Sequence, residues 1–240
     1  MDSLTFVGLA LGGLLAGALS TVTGMGGGIS LVAVLSIVMG PHVALATTAP
    51  ALLVGNIHRT TRHRHAIDRV VAKQFALGAL PGALLGGFLS VAIPELALSV
   101  VLVLVTLLAL GRSYGRFELT PRPGWVVPVA VGAGTVAATS GAGVMVAPLL
   151  VAGGLTGEAL VATASFIAIV LHVGRLAGYG LSGLLGGAAI TTSVVLAVFL
   201  VSGNLLGERV RARLGKDGCE KATRITLVAS LVLAVAGLFA

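Results

Sequence analysis

His172 and Arg175 stand three residues apart inside a long apolar run, so on a helix they share a face. Arg175 is the one Lys or Arg outside three basic stretches of the chain. A cation isolated in this way suits one of two tasks: attracting an anion at the outer mouth of a path, or reaching out to lipid phosphates. His172 can bind an anion or take up a proton. Hydroxyls recur in the same apolar setting, with Thr47 and Thr48 early in the chain and Thr163 and Ser165 later. Such groups either donate to an oxyanion or bond back to their own helix. Asn56, near the end of its apolar segment, could join them or cap a helix end.

Two glycine clusters sit beside these side chains: Thr23-Gly24-Met25-Gly26-Gly27-Gly28 and Ser140-Gly141-Ala142-Gly143. Glycine lets the backbone leave helical geometry without a Cβ penalty. The helix that follows then presents N–H groups and a partial positive charge, which suits an anion. Irregular backbone at membrane depth survives only where protein buries it or where it lines a cavity. Gly24, Gly26, Gly27 and Gly28, with Ser140, Gly141 and Gly143, therefore join the candidate binding set. Gly12, Gly13, Gly17, Gly82, Gly86 and Gly87 read instead as sites of close helix packing.

Other chemistries fit these residues less well. Ser140 with His172 as base would make an intramembrane serine hydrolase. Ala138 disfavours that reading, and an internal repeat accounts for the same residues without catalysis. A passive anion channel could use the same polar lining. His58, His63 and His65 lie among Arg59, Arg62, Arg64 and Arg69, which repel a metal cation, so neither a metal nor a cofactor is expected. Glu158 follows Gly157 and reads as a solvated turn residue or a coupling carboxylate. Cys219 is the sole cysteine and has no internal disulfide partner.

The elements that hold these groups must be membrane helices. Residues are 57% hydrophobic and 10% charged, the mean hydropathy is +1.09, and residues 3–58 carry no Lys, Arg, Asp or Glu at all. A soluble domain would carry about 25–35% charge on its surface, and a helical crossing needs roughly 20 apolar residues. No alternation of the transmembrane-barrel kind is present. Segment 4–22 follows the acidic Asp2 and not a basic leader, so it reads as a retained helix. Uncharged segments predict helices near 4–22, 29–40, 43–57, 74–92 and 96–111, then 125–139, 145–155, 158–173, 181–206 and 225–240.

Fourteen of the fifteen Lys and Arg fall after the third, fifth and ninth segments: Arg59, Arg62, Arg64, Arg69 and Lys73; Arg112, Arg116 and Arg122; Arg209, Arg211, Arg213, Lys216, Lys221 and Arg224. Alternate crossings put all three stretches on one side. The positive-inside rule makes that side cytoplasmic, with both termini outside. The net charge of +7 follows from this topology and needs no nucleic-acid partner. The loop at 59–73 is expected to meet anionic lipid head groups.

The halves also match each other. Gly26 and Gly28 pair with Gly141 and Gly143 at an offset of 115, while Ala46-Thr47 pairs with Ala162-Thr163 and Arg59 with Arg175 at 116. Each half has an odd number of segments, so residues 1–118 and 119–240 read as two inverted repeats. The expected fold is an all-α polytopic bundle with Gly-rich broken or re-entrant helices near the midplane, where inverted-repeat transporters place their substrate.

Gly24-Met-Gly-Gly-Gly28, Ala46-Thr-Thr48, the basic run Arg59–Asp68 and the Gly-rich segment after it together resemble the first half of the TauE/SafE (sulfite exporter, TSUP) family. Pro148, His172-Val-Gly-Arg175 and Gly203-Asn-Leu-Leu-Gly207 with the basic tail at 209–224 resemble its second half. Ala33 departs from a usual proline, and the second glycine cluster is thinned. The resemblance implies a secondary transporter of a bacterial inner or archaeal membrane. Its cargo would be a small sulfur-containing anion such as sulfite, thiosulfate or a sulfonate. The inverted repeats themselves suggest alternating access; the coupling ion, a proton or sodium, and the choice between monomer and homodimer stay open.

Overall fold

The computed structural model describes residues 3–24, 26–116, 124–141, 143 and 146–239. The expected repeat boundary at 118/119, Asp2, Arg122, Met25, Ala142, Val144 and Met145 lie outside the described residues, as does the side chain of Pro148. The described chain is helical almost throughout, with nine α-helices: α1 Ser3–Thr23, α2 Gly26–Met39, α3 Pro41–Arg62, α4 Arg69–Leu89, α5 Glu95–Ser113, α6 Val126–Ser140, α7 Val146–Ala152, α8 Gly157–Leu181 and α9 Gly187–Ala236. A single 3-10 turn, Arg64–Ala66, precedes α4.

Local sequence sets the helix ends. Gly40, with φ at 79°, turns the chain before Pro41 opens α3. Asp68 caps α4 by accepting from the Val70 and Val71 N–H groups, each at 3.0 Å. Pro94 precedes Glu95 at the head of α5.

Five of the helices are long and apolar enough to cross a membrane: α1, α4, α5, α8 and α9. The 14-residue α2 and the seven-residue α7 rise only about 21 and 10 Å, short of the roughly 30 Å hydrocarbon core. Large apolar side chains face outward along the bundle, among them Leu11 and Leu15 of α1, Leu77, Leu84 and Phe88 of α4, and Val194 and Val198 of α9. In a bilayer that outer surface meets lipid and needs no aqueous explanation.

Several expected boundaries change. The third and eighth segments are longer than 43–57 and 158–173, so Arg59 and Arg62 stand on α3, and His172 and Arg175 lie well inside α8. The ninth and tenth segments, with the basic stretch between them, form one helical element kinked at Gly215 (φ 64°, ψ −172°). Arg, Lys, Leu and Glu are good helix formers, so the charged stretch continues the helix and is not a loop.

Glycines let the helices meet backbone to backbone. A Cβ on Gly17 of α1 would lie 2.1 Å from the Leu200 carbonyl oxygen of α9, and one on Gly203 would lie 2.1 Å from the Leu14 oxygen. The α4–α6 contact is built in the same way, with Gly82 against the Val131 oxygen at 2.1 Å and Gly134 against the Ala79 oxygen at 2.5 Å. A Cβ on Gly87 of α4 would lie 2.7 Å from the Arg175 carbonyl oxygen of α8. Only a hydrogen fits at such distances, which is how small residues drive membrane helix packing.

Candidate functional site

Helix α1 ends at Thr23 and α6 ends at Ser140, and the residue after each is a glycine in the left-handed region: Gly24 with φ at 77° and Gly141 with φ at 70°. The corresponding breaks are thus Gly24 and Gly141, two residues out of the register that matching Gly26 with Gly141 gives. Across the first break, Thr23 Oγ1 accepts from the Gly26 N–H at 2.8 Å. The first amide of α2, expected to face an anion, is therefore capped by the protein itself.

An arginine from the helix two elements further on bonds near the end of α1 and at the end of α6. Arg175 of α8 donates from Nη1 to the Gly141 carbonyl at 2.9 Å. Arg59 of α3 donates from Nη1 to the Ser20 carbonyl at 2.9 Å and from Nη2 to Asn56 Oδ1 at 2.5 Å. Asn56 is fixed in turn by its Nδ2 bond to the Leu52 carbonyl at 2.7 Å. Beside Arg175, the buried Tyr179 ring lies 6.0 Å from the guanidinium, and its hydroxyl donates to the Ala138 carbonyl at 2.6 Å.

Both arginines line one cavity of about 760 Å³. At one end its wall includes the exposed Thr156, Gly157, Lys216 and Glu220, on the side of the basic stretch around the α9 kink. At its inner end stand Gly141, His172 and Arg175, the last only 1% exposed. The walls between are largely apolar, with Val22, Ile29, Leu52, Val146 and Leu171 among them. Arg175 is therefore neither at an outer mouth nor snorkelling to lipid; it is buried at the inner end of the cavity.

The electrostatics are one-sided. Ion pairs among the described residues join Arg62 to Glu208, His42 to Glu95, and both His63 and His65 to Glu158. None engages Arg59 or Arg175. Arg175 Nε and Nη2, Arg59 Nε and His172 Nδ1 are buried donors or acceptors with no partner in the protein. A buried cation costs several kcal/mol unless it is paired and hydrogen-bonded. The chemistry that answers these groups is an anion with oxygen acceptors matched to the planar guanidinium fork.

The sequence candidates divide. Gly24, Gly28, Asn56, Gly141, Gly143, Ser165, His172 and Arg175 line the cavity. Gly26, Gly27, Thr47, Thr48, Ser140 and Thr163 do not. Gly26 and Gly27 pack closely, against Thr226 and against the Ala16 carbonyl. Thr48 Oγ1 bonds back to the Leu45 carbonyl at 3.4 Å, and Thr163 Oγ1 accepts from the Asp68 N–H at 3.0 Å, tying α8 to the cap of α4. Thr47 is buried off the cavity and accepts from Ser193 through its carbonyl. Ser140 Oγ donates to the Val136 carbonyl at 2.7 Å and thus serves its own helix. Glu158 stands in the first turn of α8, paired with the histidines of the 3-10 turn.

Two contributors were not among the sequence candidates. In the sequence Arg59 groups with the basic loop, although its match to Arg175 across the halves is a signal of its own. Tyr179 has no sequence motif and becomes visible only through its bond to α6.

In comparisons with known proteins, a family model described as Sulfite exporter TauE/SafE matches residues 9–239, nearly the whole chain. No curated protein sequence and no solved structure matches.

Proposed function

The chain belongs to the sulfite exporter TauE/SafE family, a family of membrane anion exporters, and from that premise we propose that it carries a small sulfur-containing oxyanion through the α1–α3–α6–α8 cavity by alternating access. The observation that carries the reading is Arg175: a buried guanidinium among the lining of a cavity that opens on the basic side, with one nitrogen anchored on Gly141 and two others buried without a partner in the protein. An oxyanion would take both remaining donors at once, as a carboxylate or phosphate does in a bidentate pair. His172, one helical turn away, also lines that end and supplies a further polar group.

Matched contacts support two inverted repeats. α1 packs on the first arm of α9 as α6 packs on α4, glycine to carbonyl in both cases. Arg59 holds the end of α1 as Arg175 holds the end of α6. On this reading the cavity faces the cytoplasm in the present state, and rocking one repeat against the other would close the basic side and open the far one. The proposed setting is the cell membrane, with a proton or sodium gradient as the driving force.

The test is uptake of labelled sulfite, thiosulfate and a short sulfonate into proteoliposomes. The expected result is saturable flux of at least one anion that Arg175→Gln abolishes while the variant still elutes as a folded particle. No flux of any of them under either gradient would refute the substrate class.

A further inference from the structure

The cavity carries a second cationic centre that the Arg175 site does not use. Arg59 and Arg211 both line the main cavity, and both also line an adjoining one of about 420 Å³ bounded by His63, Glu158 and Glu208. The pair thus stands where the two spaces meet, near the exposed end. The positive charge of Arg211 bears directly on Arg59. Like charges held together beside a cavity repel one another, and the repulsion is relieved most simply by an anion between them.

The acids near the pair are only partly committed, since Glu208 keeps a buried Oε1 with no partner in the protein, but arginines outnumber them there. Glu208 bonds Arg62 through Oε2 at 3.1 Å, and Glu158 bonds His63 at 2.9 Å and His65 at 3.2 Å. Glu220 lines the main cavity further out, beside Lys216. Arg59 keeps a buried Nε with no partner in the protein, while its two terminal nitrogens hold the Ser20 carbonyl and Asn56. Arg59 is thereby fixed in place, and Arg211, partly exposed on α9 just before the Gly215 kink, is the more adjustable of the two.

We propose that Arg59 and Arg211 form a second anion station at the entrance of the cavity, distinct from Arg175, which captures an oxyanion between two guanidinium groups before it passes inward. The proposal rests on the reading of the cavity as an anion path and adds to it a site with its own residues. The station bridges α3 and α9, which belong to different halves of the chain, so an anion held there also ties the halves together while the cavity is open on the basic side.

Equilibrium dialysis of labelled sulfite under argon against the detergent-purified full chain tests this. Arg211→Gln is the useful variant, since no helix-end carbonyl depends on that side chain. The parent is expected to bind two anions per chain, and Arg211→Gln one. In proteoliposomes, Arg211→Gln should raise the half-saturating sulfite concentration about tenfold at low ionic strength. The gap should narrow to about twofold or less in 0.5 M inert salt, with the maximal rate kept. One bound anion in the parent that Arg175→Gln removes and Arg211→Gln leaves would overturn the entrance station and spare the Arg175 site. No sulfite bound by the parent at all would overturn both.

Discussion

Arg175 reaches from the second half of α8 to the carbonyl of Gly141, the left-handed residue that ends α6, at 2.9 Å. One side chain thereby holds a break in the backbone and, on the proposed function, keeps two further nitrogens beside the cavity for an anion. A residue with both duties cannot be replaced by charge alone. Arg175→Lys is expected to keep the fold but lose most transport, with kcat/KM for sulfite down roughly 10- to 100-fold, because an ammonium cannot hold Gly141 and present a planar fork together. Arg175→Gln should fall further, and flux assays on size-excluded protein will rank the three.

The two glycine breaks differ in a way that separates strain from crowding. Gly24 has φ at 77° but open space where a Cβ would go, whereas a Cβ on Gly141 would lie 2.6 Å from Leu45. Gly24→Ala should therefore cost only the left-handed backbone penalty, about 1–2 kcal/mol. Gly141→Ala adds a steric clash beside Arg175 and is expected to lower the melting temperature in detergent more and to impair flux. Equal losses for the two would contradict this account.

Close helix packing yields a similar contrast. Gly17→Ala places a methyl 2.1 Å from the Leu200 oxygen, while Gly132 on α6 has nothing within 4 Å. The first is expected to destabilise the folded protein by about 1–3 kcal/mol, the second to leave it unchanged or slightly more stable. Thermal unfolding followed by tryptophan fluorescence will distinguish them.

Tyr179 supports the Arg175 end of the cavity from behind. Tyr179→Phe leaves the Ala138 carbonyl without its 2.6 Å donor and should destabilise the protein by about 1–3 kcal/mol. Since the ring beneath Arg175 remains, sulfite affinity should change far less than stability. An affinity loss as large as that of Arg175→Gln would place Tyr179 in the binding site itself.

Cys219 lines the cavity near its exposed end and is the sole cysteine, so it reports on sidedness without engineering. A membrane-impermeant maleimide is expected to label it in inside-out vesicles and not in right-side-out ones, and saturating sulfite should slow the labelling. The reverse sidedness would invert the topology drawn from the basic residues.

Helical class, the Gly-rich breaks and the shared face of His172 and Arg175 could be read from the residues, because apolar length, glycine clustering and helical spacing are all local signals. The depth of Arg175 could not be read. An arginine near the end of a predicted segment is equally consistent with an interface or an interior, and only the α6–α8 contact decides. Arg59 was hidden by its neighbours: Arg62 and Arg64 made its charge look like that of a loop, although α3 continues through it. The threonines carry the opposite ambiguity. A buried hydroxyl in an apolar helix suggests a path, yet Thr48 is satisfied within its own helix and Thr163 accepts a bond at the cap of α4. No composition rule distinguishes the two fates.

The central claim, a carrier whose anion is held by Arg175, is tested most directly by counterflow. Proteoliposomes loaded with unlabelled sulfite are diluted into a trace of labelled sulfite with all ion gradients collapsed. The account predicts a transient overshoot of label in the parent and none in Arg175→Gln. A linear, non-saturating entry without overshoot would show a channel instead of a carrier, and an intact overshoot in Arg175→Gln would remove Arg175 from the path.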